Sequence, residues 1–131
     1  MTLAQRHHDQ GMSLYGSGEY QRAIAEFSQT IELDPQYAEA YYIRGLSYAN
    51  LGQYERAIQN YDKAIELDPR YPSTYGSRGL SYANLGQYER AIQNYDKAIE
   101  LDPQLDLAYA NRGVSYDELG QYERAIEDYD K

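Results

Sequence analysis

The stretch Gly45–Pro69 reads GLSYANLGQYERAIQNYDKAIELDP, and Gly79–Pro103 repeats it letter for letter 34 residues later. A fixed period of this length indicates that one supersecondary unit has been copied along the chain. Because such a unit does not bury its apolar face alone, neighbouring copies are expected to stack into a continuous core. The repeat therefore predicts an architecture of stacked units.

The same period extends over almost the whole chain. A weaker copy in the same register runs from Gly11 to Pro35, and a fourth copy stops at Lys131. We predict a single array over residues 1–131, with approximate repeats 4–37, 38–71, 72–105 and 106–131, the last incomplete.

The composition alone is typical of a disordered chain. Leu, Ile, Val and Phe make up only about one residue in six, and the formal net charge is -9. However, the 17 tyrosines supply large rings that can be buried, and the alanines favour helix and close contact. Because these residues recur with a strict period, we predict an ordered protein.

Each repeat is predicted to form two helices. In the second copy Tyr41, Gly45, Tyr48 and Leu51 form one helical stripe, which Gly52 ends because glycine tolerates left-handed backbone. A second stripe contains Tyr54, Ala57, Ile58, Tyr61, Ala64 and Ile65. The Asp-Pro that follows closes the repeat, since proline cannot continue a helix. No segment alternates with period two, so no strands are expected.

Three glycines recur inside the first helices, at Gly45, Gly79 and Gly113. A glycine within a helix costs about 0.5–1 kcal/mol relative to alanine. We therefore expect each one to allow close approach of the paired helix. For Gly45 the expected neighbours are Ala57 and Tyr61.

These motifs resemble the tetratricopeptide repeat. The resemblance rests on the period of 34, the Gly-x-x-Tyr of the first helix, the Ala-x-x-x-Tyr of the second and the closing Pro. Two departures are Tyr41 where the family often has Trp, and Arg44 where it commonly has Leu; both recur in the next two copies. The resemblance implies an all-α, right-handed superhelical solenoid of antiparallel helix pairs, about seven to eight helices in all.

The resemblance further implies a non-enzymatic scaffold that binds a peptide or protein segment in a concave groove lined by the first helices. The groove residues expected from this are Tyr42, Leu46, Asn50, Ser77, Leu80, Asn84, Asn111 and Val114, joined by Ile43 and by His8, Met12 and Tyr15 of the first copy. The apolar members suggest a hydrophobic trough, and the Asn side chains are suited to holding a bound backbone. Alternatively, the apolar members pack between adjacent repeats.

Some members of the family clamp the terminal carboxylate of heat-shock chaperones with Lys, Asn and Arg. The corresponding positions of the first three copies hold His8, Met12, Ile43, Ser73 and Ser77, and the frame one copy later holds Tyr42, Leu46, Ser77, Leu107 and Asn111. Neither frame supplies a pair of cations, so we predict a different ligand.

The periodic arginines Arg44, Arg78 and Arg112 have two interpretations. They bind an acidic ligand or phosphate, or they are structural, with the stem covering apolar surface and the guanidinium meeting a carboxylate. The carboxylates that share their period are Asp62, Asp96 and Asp130. We favour the structural interpretation.

The sequence contains few residues suited to catalysis or metal binding. There is no Cys, and the only two His residues, His7 and His8, are adjacent and would face different directions on a helix. We predict no catalytic site, metal or cofactor. The net charge of -9 and the dispersed Lys and Arg disfavour nucleic acid as a partner. No signal peptide or transmembrane segment is recognised, so no membrane contact and a cytoplasmic location are expected.

The last repeat suggests an alternative function. Its second helix begins near Tyr122 and no further helix follows to cover it, so Ile126 and Tyr129 are expected to be exposed. Either the array belongs to a longer one, or copies of the chain stack end to end through these residues as a homo-oligomer. The alternative to peptide binding is therefore a structural, self-assembling module.

Overall fold

The computed structural model describes every residue from Met1 to Lys131, and all its regular elements are α-helices. They are α1 (Leu3–Gly16), α2 (Tyr20–Leu33), α3 (Ala38–Asn50), α4 (Tyr54–Leu67), α5 (Pro72–Asn84), α6 (Tyr88–Leu101), α7 (Asp106–Glu118) and α8 (Tyr122–Tyr129). The predicted all-α class and helix pairs are confirmed. None of the helices combines the length and the apolar character that crossing a membrane requires.

The chain forms two compact units, unit 1 (Met1–Pro69) and unit 2 (Arg70–Lys131). In unit 1, α1 packs against α2, α2 against α3 and α3 against α4; unit 2 repeats this order from α5 to α8. The first helices of the pairs also touch, α1 with α3 and α5 with α7, whereas α2 does not touch α4 and α6 does not touch α8. Each unit therefore presents its two first helices side by side. That the four pairs form one array over residues 1–131 stays a prediction.

The turn within each helix pair depends on a glycine with left-handed backbone. Gly52 has a φ of 77°, and the same conformation recurs at the equivalent glycine of the other three pairs. This conformation brings the N–H of Gln53 to the carbonyl of Tyr48 at 2.9 Å, which satisfies a carbonyl at the helix end. The predicted end of the helix at Gly52 is confirmed.

The turn between pairs depends on Asp-Pro. The helices α2, α4 and α6 each end at the Leu before this dipeptide, because proline biases the preceding residue away from helical backbone. In two of the turns the aspartate accepts a hydrogen bond from the backbone two residues on, at 3.1 Å from Gln36 N and 3.0 Å from Gln104 N. Pro72 begins α5, as predicted.

The core of each unit combines small residues on one helix with a ring on the next. In unit 1, Ala23 and Phe27 of α2 pack with Ala40 and Ile43 of α3. In unit 2 the buried ring is Tyr95 of α6, which is 0% exposed. It occupies the position that Phe27 has in the first pair.

The buried hydroxyl of Tyr95 leads to a prediction for stability. That hydroxyl has no hydrogen-bond partner, so Tyr95→Phe should raise the free energy of unfolding by about 1 kcal/mol at neutral pH. Burial also raises the pKa of Tyr95 above its ordinary value of 10.0. Tyr95 therefore ionises at a lower pH in the unfolded chain than in the folded one. Ionisation of Tyr95 therefore leaves the free energy of unfolding unchanged below pH 10 and lowers it as the pH rises above that value.

The difference in the free energy of unfolding between Tyr95→Phe and the parent should accordingly increase as the pH rises above that value. Urea unfolding of parent and variant at about pH 7 and about pH 10.5 measures both effects. A variant that unfolds at a lower urea concentration than the parent at neutral pH would show that the hydroxyl is satisfied in solution.

Candidate functional site

The candidate site is the outer surface of the first helices, which we call the first-helix face of each unit. In unit 1 it carries Tyr42, Leu46 and Asn50 of α3 beside Met12 and Tyr15 of α1, and α1 touches α3. In unit 2 it carries Ser77, Leu80 and Asn84 of α5 beside Asn111 and Val114 of α7, and α5 touches α7. Within each unit, the residues that the sequence singled out thus lie on first helices that touch each other, and their role in binding stays a prediction.

One apolar residue recurs at the same position of all four first helices. Met12 is 38% exposed, Leu80 46% and Val114 50%. Leu46, by contrast, is half-buried and packs against the core of unit 1. Packing therefore buries much of the Leu46 side chain, while Leu80 and Val114 expose about half of their surface to solvent.

Asn50 places a polar group beside this apolar position. Its Nδ2 donates to the carbonyl of Leu46 at 2.8 Å and lies 3.5 Å from the Tyr15 hydroxyl. Burial raises the pKa of Tyr15, which keeps its hydroxyl protonated. Because the amide nitrogen is engaged within the protein, the Asn50 Oδ1 is the group that can accept a hydrogen bond from a ligand.

Two residues that the sequence placed on the face are buried instead. His8 is 4% exposed and Ile43 is 8% exposed. The His8 ring lies 4.8 Å from that of Tyr37 and 5.5 Å from that of Phe27, centre to centre, and its Nε2 lies 3.4 Å from Glu39 Oε1. Ile43 belongs to the contact between α2 and α3. The prediction that these two residues line the face is wrong, because both fill the seam between helices.

The periodic arginines turn away from the first-helix face toward their paired helices. The Nε of Arg44 donates to Asn60 Oδ1, and the Nε of Arg78 to Asn94 Oδ1, both at 2.7 Å. Arg112 donates to both oxygens of Asp128, at 2.9 and 2.6 Å. Each guanidinium also lies over a tyrosine three residues before it, 5.4 to 5.6 Å from the ring centre. These contacts support the structural interpretation.

The partner of each arginine was only partly predicted. Arg112 pairs with Asp96 at 2.9 Å, as expected. The closer partner lies 16 residues further on, at Asn60, Asn94 or Asp128, and was not predicted. The signal was present, since the spacing is constant and the three partners sit on the buried stripes of second helices.

The pKa values of Arg44 and Arg112 shift in opposite directions. Burial lowers the pKa of Arg44, whose partner Asn60 is neutral. The hydrogen bonds to Asp128 raise the pKa of Arg112 in spite of its burial. Because Arg44, Arg78 and Arg112 are the only Lys or Arg on α3, α5 and α7, these three helices have no other cation to offer to a ligand.

A second exposed surface lies on α8. Tyr122 is 63% exposed, Ile126 58% and Tyr129 48%. The Tyr129 hydroxyl donates to Asp117 Oδ2 at 2.7 Å, and this hydrogen bond raises the pKa of Tyr129. The exposure expected for Ile126 and Tyr129 is confirmed, whereas their role in association stays a prediction.

Family models for the tetratricopeptide repeat match three overlapping segments, residues 8–72, 60–93 and 79–120. A crystal structure of MamA superposes with a TM-score of 0.94 at 28% identity, over 98% of this chain and 75% of that one. MamA residues 41-end from Desulfovibrio magneticus RS-1 give 0.91 at 25% identity, over 96% and 71%. No curated protein sequence is significantly similar to the chain.

A third structure is the first TPR of Spaghetti (RPAP3) bound to the HSP90 peptide SRMEEVD. It gives a TM-score of 0.87 at 23% identity over 89% of this chain and 93% of that one, and this likeness concerns the fold alone. Repeats of this kind are protein-interaction scaffolds and are generally not catalytic. From the matched segments and the helix pairs, the chain belongs to the tetratricopeptide repeat family.

Proposed function

We propose that the chain binds a peptide or an extended protein segment on its first-helix faces. The observation that carries the proposal is the apolar residue that recurs there and stays exposed, at Met12, Leu80 and Val114. Exposed apolar residues at one repeating position of the first helices are suited to contacting a ligand. Asn50, Asn84 and Asn111 supply the amides that would hold the ligand backbone.

The charges near the faces indicate which peptides fit. The arginines of α3, α5 and α7 are engaged with Asn60, Asn94 and Asp128. Glu118 stands exposed on α7 at the position that Asn84 has on α5, and the whole chain carries -9. We therefore propose an apolar or basic segment as the ligand, with the acidic surroundings favouring its approach.

This ligand differs from the peptide held by RPAP3, whose SRMEEVD sequence is acidic at its end. Two of the positions at which a carboxylate clamp would operate here, His8 and Ile43, are buried, and Ser73 and Ser77 are neutral. We propose that recognition does not depend on a terminal carboxylate.

Selection from a displayed library of random peptides tests the proposal. The affinity of the best peptide is then measured for the parent, for Leu80→Glu and for Leu101→Glu. Leu80→Glu should weaken binding at least about tenfold, because it puts a charge on the exposed apolar position. Leu101 is similarly exposed, at 38%, but lies on a second helix, so Leu101→Glu should bind like the parent. Equal affinity of all three chains would rule the first-helix face out.

Docking at α8 is a second candidate function. The observation that favours it is the exposure of Ile126 and Tyr129, at 58% and 48%. Self-association through these residues predicts that the mass measured by sedimentation equilibrium grows with concentration and that Ile126→Glu prevents the growth. A constant monomer mass would contradict self-association and leave the face for another occupant.

A further inference from the structure

Two tyrosine rings pack on the first-helix face of unit 1. Tyr15 of α1 and Tyr42 of α3 both lie against the core of that unit. Burial, with a smaller contribution from the nearby Tyr42, raises the pKa of Tyr15. The Tyr15 hydroxyl lies 3.5 Å from Nδ2 of Asn50 on α3. The two rings therefore belong to the packing of α1 with α3.

Unit 2 has alanines at the corresponding positions. The helices α5 and α7 repeat α1 and α3 two periods later, and they touch each other as α1 and α3 do. Ala83 stands where unit 1 has Tyr15, and Ala110 stands where unit 1 has Tyr42. Because an alanine side chain ends at Cβ, the two phenol groups of unit 1 have no equivalent between α5 and α7.

Apolar side chains are correspondingly more exposed in unit 2. Val114 is 50% exposed, whereas Leu46, two periods before it, is half-buried against the core of unit 1. Leu80 is 46% exposed, and its equivalent Met12 is 38% exposed. Ala110 is exposed as well. We call this surface of unit 2 the open face and define it by Leu80, Ala83, Ala110 and Val114.

A carboxylate lies next to the open face. Glu118 of α7 is exposed, one helical turn after Val114, and it stands at the position of Asn50 in unit 1. The arginines of α5 and α7 donate to Asn94 and Asp128 on their paired helices. No cation of α5 or α7 is therefore directed at Glu118, and its charge is best complemented by a cation of the ligand.

We propose that the open face recognises an extended segment that carries an aromatic residue and, two residues away, a lysine or an arginine. The ring packs between Leu80 and Val114 over the two alanines, in the place that unit 1 fills with its own rings. The cation pairs with Glu118. The proposal rests on the proposed function, binding on the first-helix faces, and adds which unit binds and which side chains the ligand presents.

The spacing within the ligand follows from the geometry of the two chains. Val114 and Glu118 are separated by about one helical turn, roughly 5–6 Å along α7. In an extended segment, residues two apart point to the same side and are separated by about 6–7 Å. A ring and a cation at this spacing therefore reach the open face and Glu118 at the same time.

Peptide selection and binding measurements test the proposal. A displayed library of random peptides is selected against the full chain, and the best peptide is synthesised with a fluorescein label. We expect the selected peptides to be enriched in Phe, Tyr or Trp with Lys or Arg two residues away. Fluorescence anisotropy then measures the affinity of the labelled peptide for the parent and the variants, and far-UV circular dichroism verifies that each variant is folded.

The double variant Ala83→Tyr with Ala110→Tyr installs the rings of unit 1 in unit 2. It should bind the peptide at least about tenfold more weakly, because the space for the ligand ring is then occupied. Exchanging the aromatic residue of the peptide for alanine should weaken binding to the parent by a similar factor. As the control, Gln93→Tyr adds a ring to an exposed position of α6 and should bind like the parent.

The charge and the unit are tested by three further variants. Glu118→Lys should weaken binding, and a peptide whose cation is exchanged for Glu should restore it for that variant only. Leu80→Glu should weaken binding at least about tenfold, whereas Met12→Glu, at the equivalent position of unit 1, should bind like the parent.

Several results would overturn the proposal. They are selected peptides without an aromatic residue, equal affinity of the parent and the double tyrosine variant, and a loss in Glu118→Lys that the exchanged charge does not restore. A parent mass that grows with concentration and stays constant for Leu80→Glu would show that a second copy occupies the open face instead.

Failure of the proposed function would look different. Weaker binding by Met12→Glu with unchanged binding by Leu80→Glu would place the ligand on unit 1, which contradicts the open face but retains binding on a first-helix face. Unchanged affinity of both variants, or the recovery of no peptide, would contradict both proposals.

Discussion

Replacing Gly79 by leucine should unfold the α5/α6 helix pair under conditions in which the parent is fully folded. A Cβ at Gly79 would lie 2.7 Å from Tyr95 Cε1 and 3.1 Å from the carbonyl oxygen of Ala91. Neither neighbour can retreat, because the Tyr95 ring is 0% exposed and the carbonyl belongs to the backbone of α6. Even Gly79→Ala should lower the free energy of unfolding by about 1–3 kcal/mol.

The same helix provides the control. A Cβ at Gly76 would have nothing within 4 Å, so Gly76→Ala should raise the free energy of unfolding by about 0.5–1 kcal/mol. Urea unfolding followed by far-UV circular dichroism compares the two alanine variants with the parent. Midpoints that shift in the same direction for both variants would mean that Gly79 is not needed for close packing.

Replacing Asp128 by alanine should have the second largest effect. Asp128 is 4% exposed and holds the guanidinium of Arg112 through both of its oxygens. Its removal leaves that cation largely buried with the partly exposed Asp96 as its remaining carboxylate, so we expect a loss of about 3 kcal/mol. The loss should be greatest in the α7/α8 pair, where faster amide hydrogen exchange of α8 would report it.

The chain supplies the matched variant for this experiment as well. Asn60 and Asn94 occupy the position of Asp128 in two other pairs, and each accepts a hydrogen bond from its arginine at 2.7 Å. Asp128→Asn should therefore cost no more than about 1 kcal/mol. If Asn and Ala at this position destabilise the chain equally, the hydrogen bonds to Arg112 do not contribute to stability.

The helix pairs could be predicted from the sequence because the same motifs recur in several copies of the repeat. The glycine at each tight turn and the proline after each pair mark positions where the backbone has few alternatives. A Cβ at Gly45 would lie 2.6 Å from Tyr61 Cε1 and 3.2 Å from the carbonyl oxygen of Ala57, and this close fit was predictable for a similar reason. A helix tolerates an internal glycine when a neighbour fills its space, and Tyr61, Tyr95 and Tyr129 recur with the same period as Gly45, Gly79 and Gly113.

The burial of polar groups was less predictable. Asn60, Asn94 and Asp128 look like surface residues in a sequence, and only the arginine across the helix pair gives them a reason to be buried. His8 and Ile43 were placed on the first-helix face by their position in the repeat, but that position does not fix the rotation of a helix at a seam. The aromatic rings of Phe27 and Tyr37 decide where His8 lies.

The first and second helices of the pairs differ in which side chains they bury and which they expose. The first helices hold their arginines inward and leave a mostly uncharged, partly apolar surface outward. The second helices bury alanine and an aromatic ring against the first helices, and α8 leaves its remaining face uncovered. Binding of a peptide on the first-helix faces and docking at α8 would therefore use separate surfaces, and each can be removed by a substitution that spares the other.

Photo-crosslinking tests the central claim, binding on the first-helix face, most directly. The photoreactive residue p-benzoylphenylalanine is placed at Leu80, at Val114 or, as the control, at Leu101, and each chain is irradiated with the selected peptide. We predict that the peptide is crosslinked from positions 80 and 114 and that no crosslink forms from position 101. Crosslinks from position 101, with none from the other two, would contradict the account and place the ligand on the second helices.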